Sequence, residues 1–460
     1  MNYLIEKTTI ITCLLLAFIG FVLPVQGQST FSKDNYQFEL FELPGGILAN
    51  NVQCMAQDSN GYLWFGTQNG LIKYDGSRFF SYYHEPNDSN SLGSNYVECI
   101  HIDKKDVLWI GSYDDGLTRF DPIANTYKRF KPNPENPIGL GDKSINTIIE
   151  DASGYLWIGT HNGISKYDPK TEQFKWYFHT SYENLKQDNN YIAVGEKTET
   201  KEKAKKIFRA LYIDKEEQLW AGEGFTWERN KSLGGLYRYH PAQDTFLVFK
   251  NDPLDKQSLS DNRVKAIFED TKKQLWIGTM GDGVNIMDRS TNQFKSFPFP
   301  PKKEEGLSKS KVNSPHFQTN HYDQVQFFHE DQANRIWFGV LWNGLSIYDP
   351  KEDRQINFQN LPNEIHGLTT NYIWDFFETR DQTKFILTGG NGGGKLFKVK
   401  INPQLFPFIP LGDDKLVKQI TEDQTGTIWL GTNTLQNLNA FDRDKPVSYT
   451  HLTLPTTPYV

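Results

Sequence analysis

The chain has 460 residues, with 49 basic and 56 acidic side chains and a net charge of −7. That balance argues against binding a polyanion through the whole surface, so no nucleic-acid partner is expected. Only three cysteines are present, in no Cys/His spacing, so neither a metal site nor a cofactor is expected.

Residues 1–27 read as a signal peptide. Lys7 precedes an apolar run from Ile10 to Val25, interrupted by Thr12 and Pro24, and Val25-Gln26-Gly27 offers small residues for cleavage. The run is short for a membrane span, with an uncleaved anchor as the alternative. No later stretch is apolar enough to cross a bilayer, so an exported chain is expected.

Phe38-Glu39-Leu40-Phe41 has the pattern of an outer strand, like Phe79–Tyr82 and Phe294–Phe297, yet it comes before any complete sheet. Next comes the phrase that organises the chain. Asp58-Ser59-Asn60-Gly61-Tyr62-Leu63-Trp64-Phe65-Gly66-Thr67 is followed by Gly70-Leu71 and Tyr74-Asp75, and it returns from Asp151 to Asp168. Looser copies centre on Trp109, Trp220, Trp276, Trp337 and Trp429, and a degenerate one runs from Glu378 to Leu396 with Phe385 in the Trp position. Trp64 and Trp109 are 45 residues apart and Trp109 and Trp157 are 48 apart, with longer spacings after that. About 40–50 residues is the length of one four-stranded propeller blade. The units are rich in Trp, Phe, Tyr, Ile and Val with Gly in each, which favours strands over helices.

The second copy shows the four strands: Val97–Ile102, Leu108–Ile110, Leu117–Phe120 and Tyr127–Phe130. Asp-x-x-Gly forms the first hairpin, with Asp106 replacing Gly in the second copy. The recurrent Trp64, Trp109, Trp157, Trp220, Trp276, Trp337 and Trp429 read as packing wedges between blades. Cys54 and Cys99 hold equivalent places in adjacent copies, about one sheet spacing apart, and so are not expected to form a disulfide. The fold class is therefore all-β, a propeller of four-stranded blades. Two closures fit: seven blades with an eighth repeat starting a second ring, or one eight-bladed ring completed by Phe38–Phe41. Leu405–Phe408, a fourth strand for the seventh unit, favours the second.

The expected domains are the propeller over 36–410, the eighth repeat over 411–446 and a tail over 447–460. The tail bears no relation to the repeat. It resembles translated adapter sequence and reads as non-native, at the cut end of a longer reading frame. The insertions 196–206 and 298–323 read as solvated loops. The glycine run 389–394 lacks the Lys-Ser/Thr of a phosphate loop.

The Asn50-Asn51-Val52 start, the Asp58–Asp75 phrase and the repeated Leu-Trp-Ile-Gly-Thr are similar to two-component regulator propeller repeats. These occur in the periplasmic sensor region of hybrid two-component systems of gut Bacteroidetes. The resemblance covers about residues 36–445, with the fourth and seventh copies departing from the pattern. It implies two seven-bladed rings followed by a β-domain, a membrane helix, a histidine kinase and often a response regulator. It therefore favours seven blades plus the start of a second ring. It also implies an oligosaccharide ligand and a full-length protein that is membrane-anchored and dimeric. No phosphotransfer residues fall in this stretch, so any kinase activity belongs to the missing part.

Propeller function sits on rim loops or in the channel. The loops after each second strand emerge on one side: 68–69, 113–115, 161–162, 223–234, 280–282, 341–343 and 389–394. Sugar recognition needs an aromatic face and planar polar groups at its edge. Tyr113, Asp114, Trp227, Arg229, Trp342 and Asn343 are the residues of those types and form the expected ligand site, with no catalytic residue among them. Asp115 and Asp282 read as turn residues and His161 as a solvated loop residue. A secreted lyase resembling the streptogramin B lyases and a passive interaction scaffold are the competing functions.

Overall fold

The computed structural model describes residues 31–45, 51–133, 136–178, 206–224, 233–281, 283–297, 324–360, 367–389 and 394–401, and the strands 417–422, 428–432, 438–442 and 445–449. Gln37–Lys400 forms one compact unit. Within it, seven four-stranded antiparallel sheets form a ring, a seven-bladed β-propeller. The only described helix is a single turn at Lys33–Asn35.

From inside outward, blade 1 is Val52–Gln57, Leu63–Thr67, Gly70–Tyr74 and Phe79–Tyr82. Blades 2 to 6 repeat this order, with inner strands Val97–Ile102, Ile145–Glu150, Phe208–Ile213, Val264–Glu269 and Val325–Glu330. Blade 7 differs. Its first three strands are Ile373–Glu378, Lys384–Thr388 and Leu396–Ile401, and its outer strand is Tyr36–Leu40 from the start of the chain. The Phe38–Phe41 segment thus closes the ring on blade 7, giving the seven-bladed closure and not the eight-bladed one. Leu405–Phe408, which pointed the other way, lies outside the described residues.

One device recurs in blades 1 to 6. An Asp at the first hairpin accepts backbone N–H bonds through Oδ1, two in each of these blades except blade 5, where Asp270 takes that of Gln274, and the indole N–H of the blade's Trp through Oδ2. In blade 1, Asp58 takes the N–H groups of Asn60 and Tyr62, each at 3.0 Å, and Trp64 Nε1 at 2.9 Å. The Trp contact recurs as Asp103–Trp109, Asp151–Trp157, Asp214–Trp220, Asp270–Trp276 and Asp331–Trp337, from 2.8 to 3.1 Å. A buried indole needs an acceptor, and the turn supplies one it already requires. Blade 7 has Phe385 in place of the Trp and Thr379 in place of the Asp: without an indole N–H, the carboxylate has no second task. The fourth residue of this turn takes positive φ in every blade, at Gly61, Asp106, Gly154, Glu217, Lys273, Asn334 and Gln382.

The six ring tryptophans are buried, from 0% to 8% exposed, and wedge between blades. Trp64 meets Phe120 of blade 2, Trp109 meets Tyr167 of blade 3 and Trp157 meets Tyr239 of blade 4. The next blade approaches closely beside the Gly of Leu-Trp-Ile-Gly-Thr. A Cβ at Gly111 would come within 2.6 Å of Ile145, and one at Gly278 within 2.8 Å of Val325. Cys54 and Cys99 are free thiols, as expected, and burial pushes both well up from the ordinary thiol range.

At the seam, Leu43, Val52, Phe65, Phe385, Leu387 and Leu396 share one apolar cluster between blades 1 and 7. Arg380 of blade 7 adds bonds to the carbonyls of Gln57, Asp58 and Ser59.

The eighth repeat forms a separate four-stranded antiparallel sheet, Val417–Glu422, Ile428–Thr432, Leu438–Asp442 and Lys445–Tyr449. Trp429 lies in its second strand and is half-buried. The last strand pairs Tyr449 with Ala440, across the boundary expected at 447. Residues 1–30 and 450–460, with the signal segment and most of the tail, lie outside the described residues. Among the described residues no helix is long and apolar enough to cross a membrane.

Candidate functional site at the channel mouth

Every inner strand carries a register shift after its first residue. A bulge of this kind re-aims a side chain. The residues in that place are Gln53, Glu98, Asn146, Arg209, Lys265, Gln326 and Trp374, almost all polar although they sit on the innermost strands. Their contacts show where they point. Arg209 of blade 4 pairs with Glu98 of blade 2 at 3.3 Å, and Lys265 of blade 5 lies 5.3 Å from the ring centroid of Trp374 of blade 7. Blades that are not neighbours meet only across the axis, so these side chains line the channel.

The loops after the second strands join them at the same end. In each blade the first loop N–H donates to the carbonyl just before the inner strand, as from Tyr113 to Tyr96 at 3.3 Å, His161 to Ser144 at 3.1 Å and Gly389 to Tyr372 at 2.9 Å. This pins each loop to the start of its own inner strand. A girdle results. Gln68 Nε2 donates to the Tyr96 hydroxyl at 3.1 Å. The Tyr96 ring lies 5.3 Å from Tyr113, which meets His161 edge-on at 5.6 Å. His161 Nε2 is 3.3 Å from Arg209. On the other side, Trp342 meets Tyr372 edge-on at 5.0 Å, and Tyr372 stacks on Trp374 at 6.1 Å with planes 7° apart.

Four charges face this space. Arg209 and Glu98 neutralise each other, with side chains 8% and 9% exposed. Lys265 and Asp375 make no ion pair, but each feels the other's charge. Burial, then the Arg209 charge, pushes the Lys265 ammonium down to about 8. Burial pushes the Asp375 carboxyl up to about 6, against the Phe376 N–H bond and the Lys265 charge. Burial, with Glu98 nearby, raises the Tyr96 hydroxyl, and burial raises that of Tyr372.

Of the residues expected from sequence, Tyr113 and Trp342 stand at the mouth, 46% and 44% exposed. Trp342 is held at φ 67°, a left-handed conformation that is costly for a bulky residue. Asp114 is exposed beside Tyr113. Asn343 is turned to local work, accepting from Gln359 Nε2 at 2.6 Å. Trp227 and Arg229 lie outside the described residues. Sequence reasoning missed Tyr96, Glu98, Arg209, Lys265, Tyr372, Trp374 and Asp375, and gave His161 to solvent. The signal was present: superposing the copies puts a polar residue after the first apolar residue of nearly every inner strand.

Two surface clefts lie elsewhere. One of about 260 Å³ opens at the seam by Tyr62, Tyr74 and Asp75, and one of about 540 Å³ opens on blade 5 by Lys273 and Asp288. Their carboxylates are already committed to their own turns, Asp75 to Ser77 and Arg78 and Asp288 to Ser290. Among the described residues no three His, Cys, Asp or Glu side chains converge to hold a metal ion.

Four stretches, residues 46–69, 91–114, 139–162 and 258–281, match the family described as two component regulator propeller. Four of the seven blades thus contain stretches similar to two-component regulator propeller repeats. Each matched stretch begins six residues before an inner strand and runs through the Trp hairpin, so it contains one channel-lining bulge. Histidine kinase P4 of Formosa agariphila is 26% identical over 239 residues, which is 50% of this chain and 15% of the kinase. The extracellular domain described as that of the hybrid two component system BT3049 from B. thetaiotaomicron superposes with a TM-score of 0.65 at 21% identity, over 90% of this chain and 49% of that one. Virginiamycin B lyase from Staphylococcus aureus superposes with a TM-score of 0.52 at 12% identity, over 80% of this chain and 100% of the lyase. At these identities the structural likenesses establish the propeller fold alone. The chain spans about half the length of that extracellular domain and a small part of the kinase.

Proposed function

We propose that this propeller is the ligand-receiving part of an extracytoplasmic two-component sensor, and that an oligosaccharide docks at the channel mouth. One observation carries the reading: the girdle of Tyr113, Tyr96, Trp342, Tyr372 and Trp374 with Gln68, Arg209, Glu98 and His161 set between the rings. Aromatic faces cover the apolar side of a sugar, while planar amide, guanidinium and carboxylate groups take its hydroxyls. The repeats, the kinase relative and the likeness to extracellular sensor domains support a role in signalling outside the cytoplasm, with the output in a kinase beyond this stretch.

Calorimetric titration of the chain with a panel of carboxylated, sulfated and neutral oligosaccharides tests this. Binding by at least one, weakened tenfold or more in Trp342→Ala and Tyr113→Ala with the melting temperature held, is the expected result. No binding across the panel, or unchanged affinity in both variants, would overturn the mouth as the site.

A further inference from the structure

Among the described residues, Lys265 is the one charged bulge residue with no contacting counter-charge. Arg209, one blade earlier in the same place, is answered by Glu98 at 3.3 Å. The Lys265 ammonium has only the face of Trp374, at 5.3 Å. A ring face attracts a cation but leaves its three N–H donors unused. Between these two blades, Gln326 fills the bulge of blade 6. It is 5% exposed, its Oε1 has no hydrogen-bond partner, and its Nε2 makes only a 3.5 Å contact to Gln324 O. The Gln324 Oε1, on a residue 2% exposed, is also unpartnered. Buried amide oxygens without donors are costly and mark a place where a donor belongs. Trp374, Tyr372 and Trp342 border the same side.

We propose that blades 5, 6 and 7 form a subsite for a sugar ring bearing one anionic substituent, a carboxylate or a sulfate, with Lys265 reading the charge and Gln326 taking a hydroxyl. This rests on the oligosaccharide reading above. The charges facing Lys265 are Arg209, Glu98 and Asp375; with Lys265 itself they cancel, so the subsite suits one anionic substituent on the ring it holds. His161 adds an imidazole beside Arg209. Asp375 also sets a sign. An anion beside it disfavours its ionised form, so the complex holds more protons than the free protein. Lys265 also becomes more fully charged when an anion binds. Affinity therefore rises as pH falls from about 8 towards about 6.

The test uses the full chain and four probes: trigalacturonate, its methyl ester, a sulfated galactose trisaccharide and neutral galactotriose. At least one acidic probe is expected to bind ten times more tightly than its uncharged counterpart. Lys265→Met is expected to erase that advantage and Lys265→Arg to keep it, both at unchanged melting temperature. Binding should tighten between pH 8 and pH 6, and Asp375→Asn should flatten the change. Whether the uronate or the sulfate binds identifies the anion. Equal binding of charged and uncharged probes, or an advantage that survives Lys265→Met, overturns the anionic subsite and leaves the oligosaccharide reading standing. If none of the four probes binds, the subsite is overturned while the wider panel still decides the oligosaccharide reading.

Discussion

Blade 3 and blade 7 occupy equivalent places in one ring but are built by different means. Blade 3 follows the repeat throughout: Asp151 holds its turn and the Trp157 indole, Gly159 admits the next blade, and Lys166 lies 4.7 Å over the Trp157 ring from the neighbouring strand. Blade 7 departs at nearly every such point. It has Thr379 for the Asp, Phe385 for the Trp, Leu387 for the Gly and Lys384 for the usual Leu or Ile. Lys384 is buried and reaches Glu378 at 2.9 Å. Blade 7 also supplies the seam, through Arg380, and three groups at the mouth, Tyr372, Trp374 and Asp375. The repeat specifies a generic wedge, and the copy that is freed from it carries closure and channel chemistry.

The largest test of this contrast is Trp157→Ala. Removing a wedge that is 2% exposed, shared with Tyr239 and the blade 4 core, should lower stability by about 3–5 kcal/mol in urea unfolding. A loss below about 1 kcal/mol would show that the wedge is dispensable. Next comes conversion of blade 7 towards the repeat. Phe385→Trp alone buries an indole N–H opposite Thr379 and should cost about 2 kcal/mol. Adding Thr379→Asp should recover at least half, and additive costs in this double-mutant cycle would break the link drawn between Asp and Trp.

The seam gives a smaller effect. Arg380→Ala removes bonds to blade 1 carbonyls on an exposed edge and should cost about 1 kcal/mol, with faster amide exchange confined to blades 1 and 7. Exchange rising evenly round the ring would deny the seam any special status. The smallest effect is acid sensitivity at the seam's other flank. Burial holds His329 below the ordinary imidazole value of 6.5, against the pull of Glu378 and Asp331, while Lys384 adds to the lowering. The unfolded chain therefore takes up the proton first. Stability is fully present above pH 6.5 and falls as pH drops from there towards the lowered folded value. His329→Gln should flatten that slope of the urea midpoint against pH.

The ring was legible in the sequence because the features that build it are local and repeated. Asp58-x-x-Gly61 and Leu63-Trp64 lie within one hairpin, and the same few residues recur at a regular spacing. Phe38–Phe41 announced itself as an outer strand out of phase. Its partner blade was not legible, since any blade with an unpaired third strand would accept it. The mouth was half legible. Tyr113 and Trp342 sit on turns that the glycines mark, so their position followed from the hairpins. Glu98, Arg209 and Lys265 were hidden because their role depends on a bulge and on a meeting across the axis, and neither leaves a mark within a single copy. Asn343 has the right chemistry for a sugar but is consumed by Gln359 of its own blade.

The outer strand of blade 7 also governs the order in which the ring can form. In six blades every hairpin joins strands that are adjacent in the chain, and such contacts form early because little chain entropy is lost. Blade 7 must instead bring Leu40 beside Leu396, the two ends of the ring's sequence. During synthesis the first strand emerges long before its partner and waits with an open edge. Closure has to wait for the whole ring to be made, and refolding should speed up when residues 36–41 are moved to follow the third strand of blade 7.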